Sequence, residues 1–199
     1  MKLILGSSSK WRQELMRQLT SDFSVISPDI DEKAIRHENP GELVRMLAAA
    51  KSQAVIEKAG AEGQLPAVIV TSDQVVVFDS EIREKPESED QARQWILEAH
   101  HHPAETWTGV HAVNTATGAL ASGLDVAKVW FRPIPAELAD QLIAKDYWRY
   151  SSGGFDVEDE LVKEYVEKRE GDVDSVMGLP LKLTRRLIEE VGGAELCRK

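Results

Sequence analysis

Cysteine is almost absent from the sequence: Cys197 is the only one, so no internal disulfide bond can form. Its place in a polar tail indicates no catalytic role. Long apolar runs are absent too, since none approaches the ~20 residues that a membrane-spanning helix needs. The apolar start of the chain, at residues 3–5, is too short for a secretion signal. We therefore expect a soluble cytoplasmic protein without a membrane partner.

Positive charge is also scarce. The sequence has 24 Lys and Arg but 34 Asp and Glu, so its formal net charge is −10 at pH 7. Nucleic acid polymers usually bind to a broad basic surface, so this charge argues against them as partners. The negative charge does not argue against a single nucleotide as a ligand, since a few local cations and a metal ion can hold a triphosphate whatever the total charge. The sequence leaves the oligomeric state open, including a homodimer.

The apolar residues alternate between strand and helix patterns. With 199 residues, 42% apolar and 29% charged, the chain can form one globular domain with a substantial core. The patterns predict strands at 2–5, 23–26, 67–70, 75–78, 81–83, 107–114 and 124–131, and helices at 11–19, 40–60, 88–100, 135–144 and 180–191. Residues 158–174 are predicted to form a partly exposed helix or a strand pair. This order favours a single α/β domain with a mixed sheet.

A first candidate site is the strand-to-helix junction Gly6-Ser7-Ser8-Ser9-Lys10-Trp11-Arg12. Hydroxyls, free N–H groups and a positive helix end meet there and can bind phosphate. The second glycine and the Gly-Lys-Ser/Thr ending of a P-loop are missing. Because most serine-rich helix starts are simply caps, with Ser8 or Ser9 as the cap here, the junction alone does not establish a phosphate site.

Carboxylates supply two further candidates. Asp29, Asp31 and Glu32 follow a predicted strand and could hold Mg²⁺ through their oxygens, or form a solvated acidic turn. Asp73 is predicted to stand at the end of an apolar strand, where α/β sheets usually bind ligands. Its carboxylate could bind a metal or accept a proton from water. The alternative for Asp73 is an Asx turn that ends the strand.

Two isolated lysines could neutralise phosphate oxygens. Lys51 lies in the small-residue stretch Ala48-Ala49-Ala50-Lys51-Ser52, which lets another backbone come close, and Lys85 precedes Pro86 after a predicted hairpin. Most lysines are solvated surface residues, so neither carries a functional assignment alone.

Together, in order and spacing, these segments resemble the Maf family from residue 2 to about residue 191. The resemblance depends on the junction at 6–12 and on the blocks Pro28-Asp29-Ile30-Asp31-Glu32, Leu47-Ala48-Ala49-Ala50-Lys51, Ser72-Asp73-Gln74-Val75-Val76, Glu84-Lys85-Pro86, Thr108-Gly109-Val110, Gly153-Gly154-Phe155 and Gly178-Leu179-Pro180-Leu181. It implies a single catalytic domain over residues 1–199, with a mixed α/β fold and a deep cleft, similar to that of the inosine triphosphate pyrophosphatases. The resemblance does not decide whether this domain consists of two lobes around the cleft.

The resemblance also implies an activity: hydrolysis of a nucleoside triphosphate to the monophosphate and pyrophosphate, with Mg²⁺, Mn²⁺ or Co²⁺. By the same resemblance Asp73 is the proton acceptor, and Glu32 and Asp73 are linked to the metal. The residues implied to bind phosphate are Ser8, Arg12, Lys51 and Lys85.

Three residues, Trp11, Gln74 and Glu158, resemble the 7-methyl-GTP branch of the family more than the dTTP/UTP branch. Methylation at N7 makes guanine cationic, so an indole could stack on it and a carboxylate could accept hydrogen bonds from it. The alternative for Trp11 is a core position. The alternatives for function are a dTTP/UTP-type or broad house-cleaning pyrophosphatase, or a nucleotide-binding regulator of cell division.

Overall fold

The computed structural model describes residues 1–154 and 156–197 of the chain. The strands are β1 (Lys2–Gly6), β2 (Ser24–Val25), β3 (Ala67–Phe78), β4 (Glu81–Arg83), β5 (Ala104–Asn114), β6 (Leu120–Phe131) and β7 (Val166–Glu170). The α-helices are α1 (Lys10–Leu19), α2 (Pro40–Ala61), α3 (Glu89–Glu98), α4 (Ala136–Ala144), α5 (Glu160–Lys163), α6 (Val173–Val176) and α7 (Leu181–Glu190). Short 3-10 helices lie at Glu32–Ala34, Tyr147–Arg149 and Ala194–Cys197.

The seven strands of the described residues belong to one sheet. Six of them follow the order β2-β1-β3-β5-β6-β7, and β4 pairs with β3 beside this path. β1 is parallel to β2 and β3, whereas the pairs β3–β4 and β6–β7 are antiparallel. The sheet is therefore mixed, as the sequence predicts.

The chain divides into two compact units. Unit 1 consists of Met1–Asp73, Thr108–Asp125 and the described residues of Val173–Lys199. Unit 2 consists of Gln74–Trp107 and the described residues of Val126–Asp172. The single catalytic domain and the deep cleft that the resemblance implies stay predictions.

The two central strands of unit 1, β1 and β3, are buried on both faces. Leu5 and Val70 pack in a cluster with residues of α1 and α7, while Ile4 and Ile69 pack with Val55 of α2. Successive side chains of a strand point to opposite faces, so a strand covered on both faces has a continuous apolar sequence. The predicted α/β fold with a mixed sheet is confirmed, and helices pack on both faces of these two strands.

The sequence divides β3 wrongly into two strands. In the structure β3 runs unbroken from Ala67 to Phe78, so Asp73 lies inside a strand. The placement of Asp73 at a strand end and the alternative of an Asx turn are therefore both wrong. The polar residues stay in the strand because Thr71 and Ser72 donate hydrogen bonds to main-chain carbonyls and Asp73 pairs with a lysine.

Local predictions at two other places are also wrong. Gly60 does not end α2, which continues to Ala61, and the left-handed conformation that glycine favours is adopted by Gly63 at φ 67°. Residues 158–174 form neither one helix nor a strand pair: the short helix α5 is followed by the strand β7, which pairs with β6.

Cys197 is not in an exposed tail. It ends a 3-10 helix, is 3% exposed and packs in the same cluster as Leu187 and Val191. Burial raises the pKa of the Cys197 thiol, so the thiol is less readily ionised than an exposed one. Among the described residues, no helix has both the length and the hydropathy needed to cross a bilayer.

Candidate active site

The junction between β1 and α1 is a capped helix start. Ser9 is the N-cap, and its Oγ accepts from the Arg12 amide at 3.4 Å, while the Ser9 amide donates to Ser7 Oγ at 3.1 Å. Ser8, the predicted phosphate ligand, is exposed beside the first turn of the helix. A Cβ on Gly6 would lie 2.5 Å from Thr71 Cγ2, so glycine allows β1 to end close against β3.

The Arg12 side chain extends from α1 to β3. Its Nη1 donates to the Ser72 carbonyl oxygen at 2.8 Å. Burial lowers the pKa of the Arg12 guanidinium from its ordinary value, and the negative charges of Asp73 and Glu32 oppose this effect. The guanidinium is therefore held near two carboxylates by a main-chain anchor.

Three charged side chains of unit 1 meet at Lys51. The Lys51 ammonium donates to the Asp73 carboxylate and lies 2.8 Å from Glu32 Oε1. Lys51 and Asp73 are buried, whereas the Glu32 side chain is 52% exposed. These residues, which lie far apart in the sequence, form a charged cluster with one solvent-facing member.

The cluster is held between α2 and β3. Thr71 and Asp73 are two residues apart and face the same side of β3, where Thr71 Oγ1 donates to the Ala48 carbonyl at 2.7 Å and Asp73 contacts Lys51. Ala48 and Lys51 are three residues apart and lie on the same face of α2. Asn39 caps this helix by accepting from the Glu42 amide at 3.1 Å. The spacing on both elements therefore brings the carboxylate to the ammonium.

Burial raises the pKa of the Asp73 carboxyl above its usual range. The positive charges of Lys51 and Arg12 act in the opposite direction, and the negative charge of Glu32 adds to the rise. An aspartate with a raised pKa accepts a proton from water more readily than an exposed one, which suits a general base.

The three acidic residues near position 30 do not act together. Asp29, at φ 43°, pairs with Lys58, and Asp31 accepts from the Lys33 amide at 3.1 Å. Only Glu32 reaches Lys51. The described residues contain no group of three or more His, Cys, Asp or Glu side chains that could hold a metal ion. The three-carboxylate magnesium site is therefore wrong, because Asp29 pairs with Lys58 and Asp31 accepts from a neighbouring amide, and the alternative of an acidic turn fits these two exposed residues.

The remaining candidates belong to unit 2. Lys85 is exposed, and the residue before it, Glu84, accepts a hydrogen bond from the Gly153 amide at 3.1 Å through its carbonyl. Gln74 is half-buried. Glu158 Oε1 accepts from Arg169 Nη1 at 3.3 Å. Its other carboxylate oxygen lies 3.6 Å from the Lys163 ammonium, so two cations already face this carboxylate.

Trp11 is not a core residue. Its side chain is 52% exposed, whereas the buried residues of α1 are Leu15, Met16 and Leu19, further along the helix. The core alternative is therefore wrong. An exposed indole in the first turn of α1 can stack on a flat ligand.

Ser72 is a site residue that the sequence analysis did not identify. Its hydroxyl donates to the Gly178 carbonyl at 3.0 Å, and its own carbonyl binds Arg12. No signal in the sequence marks Ser72, because residues 71–74 are polar and are predicted to lie between two strands rather than inside one.

The fold and the site have the features of an α/β enzyme whose buried carboxylate is paired with a lysine. Residues 2–191 match the model of the family described as Maf-like protein, so the chain belongs to the Maf family. The chain is also similar to the 7-methyl-GTP pyrophosphatase of Dictyostelium discoideum. The two are 39% identical over 192 residues, which cover 95% of this chain and 96% of that protein. The resemblance stated from the sequence is confirmed.

Proposed function

We propose that the protein is a hydrolase of acid anhydrides that cuts nucleoside triphosphates between the α- and β-phosphates. The products are the nucleoside monophosphate and pyrophosphate, and the preferred substrate is 7-methyl-GTP. The observation that carries this proposal is the buried pair of Asp73 and Lys51, with Arg12 beside it, in a chain that belongs to the Maf family. The name of the Dictyostelium relative supports the choice of nucleotide.

Phosphate binding is assigned to the cations and to the helix start. A triphosphate near neutral pH carries about four negative charges, which repel an attacking water unless cations reduce them. An ammonium has three N–H donors, of which Lys51 directs two at Asp73 and Glu32. The third can donate to a phosphate oxygen. In this proposal Arg12, Lys85 and the Ser8 hydroxyl bind the other phosphate oxygens.

Asp73 is the proposed general base. Its carboxylate accepts the proton of the attacking water, and its raised pKa brings its proton affinity closer to neutral pH. Lys51 contacts both Asp73 and Glu32, and in this proposal it keeps the Asp73 carboxylate oriented. Pyrophosphate then leaves as an anion that the surrounding cations stabilise.

A divalent ion, Mg²⁺, Mn²⁺ or Co²⁺, is part of the proposal. Glu32 and Asp73 offer hard oxygen ligands around Lys51 and would hold the ion. Since Mg²⁺ is usually bound by one or two carboxylates together with substrate phosphates, this donor set fits an ion that binds with the triphosphate. When bound, the ion neutralises charge on the phosphate oxygens.

Base recognition is assigned to Trp11, Gln74 and Glu158. The exposed Trp11 indole can stack on a cationic base, and the Glu158 carboxylate can accept hydrogen bonds from the guanine N1–H and N2–H₂ groups. Uracil and thymine offer one N–H between two carbonyls, which suits a carboxylate badly. The cytoplasmic location and the homodimer stay predictions.

A panel of triphosphates tests the proposal. We would measure pyrophosphate release from 7-methyl-GTP, GTP, dTTP and UTP, and we expect the highest kcat/KM for 7-methyl-GTP. A preference for dTTP or UTP would overturn the choice of base, and equal efficiencies would indicate a broad house-cleaning enzyme. Tight nucleotide binding without pyrophosphate release would indicate a regulator instead.

A further inference from the structure

Ser72 separates two residues that contact α2, yet its own side chain lies on the opposite face of β3. Thr71 Oγ1 donates to the Ala48 carbonyl and Asp73 contacts Lys51. Ser72 Oγ donates to the Gly178 carbonyl at 3.0 Å, and Ser72 is 0% exposed. The strand is therefore held from both faces next to Asp73.

The main-chain carbonyl of Ser72 also has a long-range partner. It accepts a hydrogen bond from Arg12 Nη1 at 2.8 Å. The paired residues of β1 and β3 extend to Gly6 opposite Thr71, so Ser72 lies just beyond this ladder. At that position a side chain, rather than β1, binds the strand carbonyl.

The Ser72 carbonyl and the Asp73 amide belong to one planar peptide group. Rotation of this group would move the Arg12 anchor and the Asp73 backbone together. We propose that Ser72 is a positioning residue, whose hydroxyl bond to Gly178 fixes the peptide that holds Arg12 beside Asp73. This inference rests on the proposed pyrophosphatase function, in which Arg12 and Asp73 take part.

The first test is steady-state kinetics of Ser72→Ala with 7-methyl-GTP and Mg²⁺. We expect kcat to fall roughly 10-fold and KM to change less than about 3-fold, since sub-ångström misplacement of catalytic groups lowers turnover. Ser72→Thr keeps the hydroxyl and should restore kcat to within about 3-fold of wild type. A kcat for Ser72→Ala within about 2-fold of wild type would overturn the proposal.

A matched control removes a buried hydrogen bond elsewhere in unit 1. Asn114 Nδ2 donates to the Val191 carbonyl at 2.9 Å. The amide of the next residue, Thr115, donates to the carbonyl of Ala67 at the start of β3. Asn114→Ala also removes the hydrogen bond from the Ala116 amide to Asn114 Oδ1, so it should lower Tm at least as much as Ser72→Ala and leave kcat unchanged. An equal loss of kcat in both variants would mean that Ser72 acts only through stability.

A double-mutant cycle tests whether Ser72 acts through Arg12. In an Arg12→Lys background, Ser72→Ala should reduce kcat less than about 2-fold further, because the anchor is already lost. Losses that multiply fully would contradict the inference.

Crystal structures of wild type and Ser72→Ala give a readout that does not depend on activity. We expect the distance from Arg12 Nη1 to the residue 72 carbonyl to exceed about 3.5 Å in the variant. An unchanged distance would overturn the proposal.

If the wild type released no pyrophosphate from any triphosphate, the proposed function would fail, while the structures would still decide whether Ser72 holds Arg12.

Discussion

The Lys51 ammonium lies against the Asp73 carboxylate, and both side chains are only 7% exposed. A buried ion pair adds little net stability compared with packed apolar residues, because both charges lose their hydration. The pair also extends to the half-exposed Glu32, which connects it with solvent. The chemistry proposed for Asp73 therefore explains the arrangement better than its contribution to folding does.

Replacing Asp73 by Asn should nearly abolish turnover. The substitution keeps the shape of the side chain but removes the proton acceptor, so we expect kcat to fall by ~10²–10⁴. The measurement is pyrophosphate release at saturating 7-methyl-GTP, with circular dichroism to check the fold. Asp29→Asn is the matched control, since Asp29 is an exposed aspartate of the same unit that pairs with Lys58, and it should keep wild-type turnover. More than a tenth of wild-type activity in Asp73→Asn would refute the assignment.

The same variants should differ in how their stability depends on pH. The folded-state pKa of Asp73 is raised by burial, so the folded protein binds more protons than the unfolded chain above the ordinary pKa of 3.8, and its stability falls as pH rises from there. Asp73→Asn removes this loss, so its stability relative to wild type should increase with pH. We would measure free energies of unfolding in urea from pH 3.5 to 8.

Asp29 should show the opposite sign. Its hydrogen bonds from Lys58 and Ser27 lower its pKa below 3.8, so its contribution to stability is present above that pH and is lost as pH falls. Asp29→Asn should therefore be less stable than wild type at neutral pH, and the difference should shrink at low pH. If the stability differences of the two variants change with pH in the same sense, the pKa direction of at least one of the two residues is contradicted.

The sequence predicts much of the fold because the local signals agree with the tertiary structure. Ser9, one of the two predicted caps, caps α1, α2 begins at Pro40 as predicted, and the apolar run at the start of β3 lies in the core. The polar segment after that run could not be predicted as strand, since its hydrogen bonds go to Ala48 and Gly178, which lie far away in the sequence. The residues alone mark Glu32, Lys51 and Asp73 as separate candidates, and only the family resemblance assigns them to one site.

The partners of Glu158 show a second limit. The sequence marks its carboxylate as a ligand for a base, but it does not show that Arg169 and Lys163 lie beside it. Arg169 belongs to β7, and its contact with Glu158 depends on the tertiary structure rather than on a local sequence pattern. The consequence is that part of the negative charge of Glu158 is already compensated.

Removal of divalent metal should stop the reaction. Glu32 and Asp73 add negative charge next to the triphosphate, so the cations of the chain alone do not neutralise it. We expect no turnover in EDTA and recovery on addition of Mg²⁺, Mn²⁺ or Co²⁺, followed by phosphorus NMR. The spectra should show monophosphate and intact pyrophosphate. Full activity in metal-stripped buffer would contradict the metal requirement, and direct release of orthophosphate would show that a different bond is cut.

The base site should prefer 7-methyl-GTP over GTP, dTTP and UTP. The methyl group adds a positive charge but no hydrogen-bond donor, so discrimination from GTP must come from stacking on Trp11 and charge pairing with Glu158. These contributions together amount to ~1–3 kcal/mol, which corresponds to roughly a 5–150-fold preference in kcat/KM. Trp11→Ala should reduce this preference, because it removes the exposed ring.

Glu158→Gln isolates the charge, because it keeps the shape of the side chain. We expect it to lower kcat/KM for 7-methyl-GTP more than for UTP, since only the methylated base is cationic. The matched control is Glu160→Gln, because Glu160 also pairs with Lys163 in the same segment but its side chain is 89% exposed. That variant should leave the ratio of the two efficiencies unchanged. If Glu158→Gln slows both nucleotides equally, Glu158 does not read the base. The pyrophosphatase proposal would survive that result, because it depends on Asp73, Lys51 and Arg12.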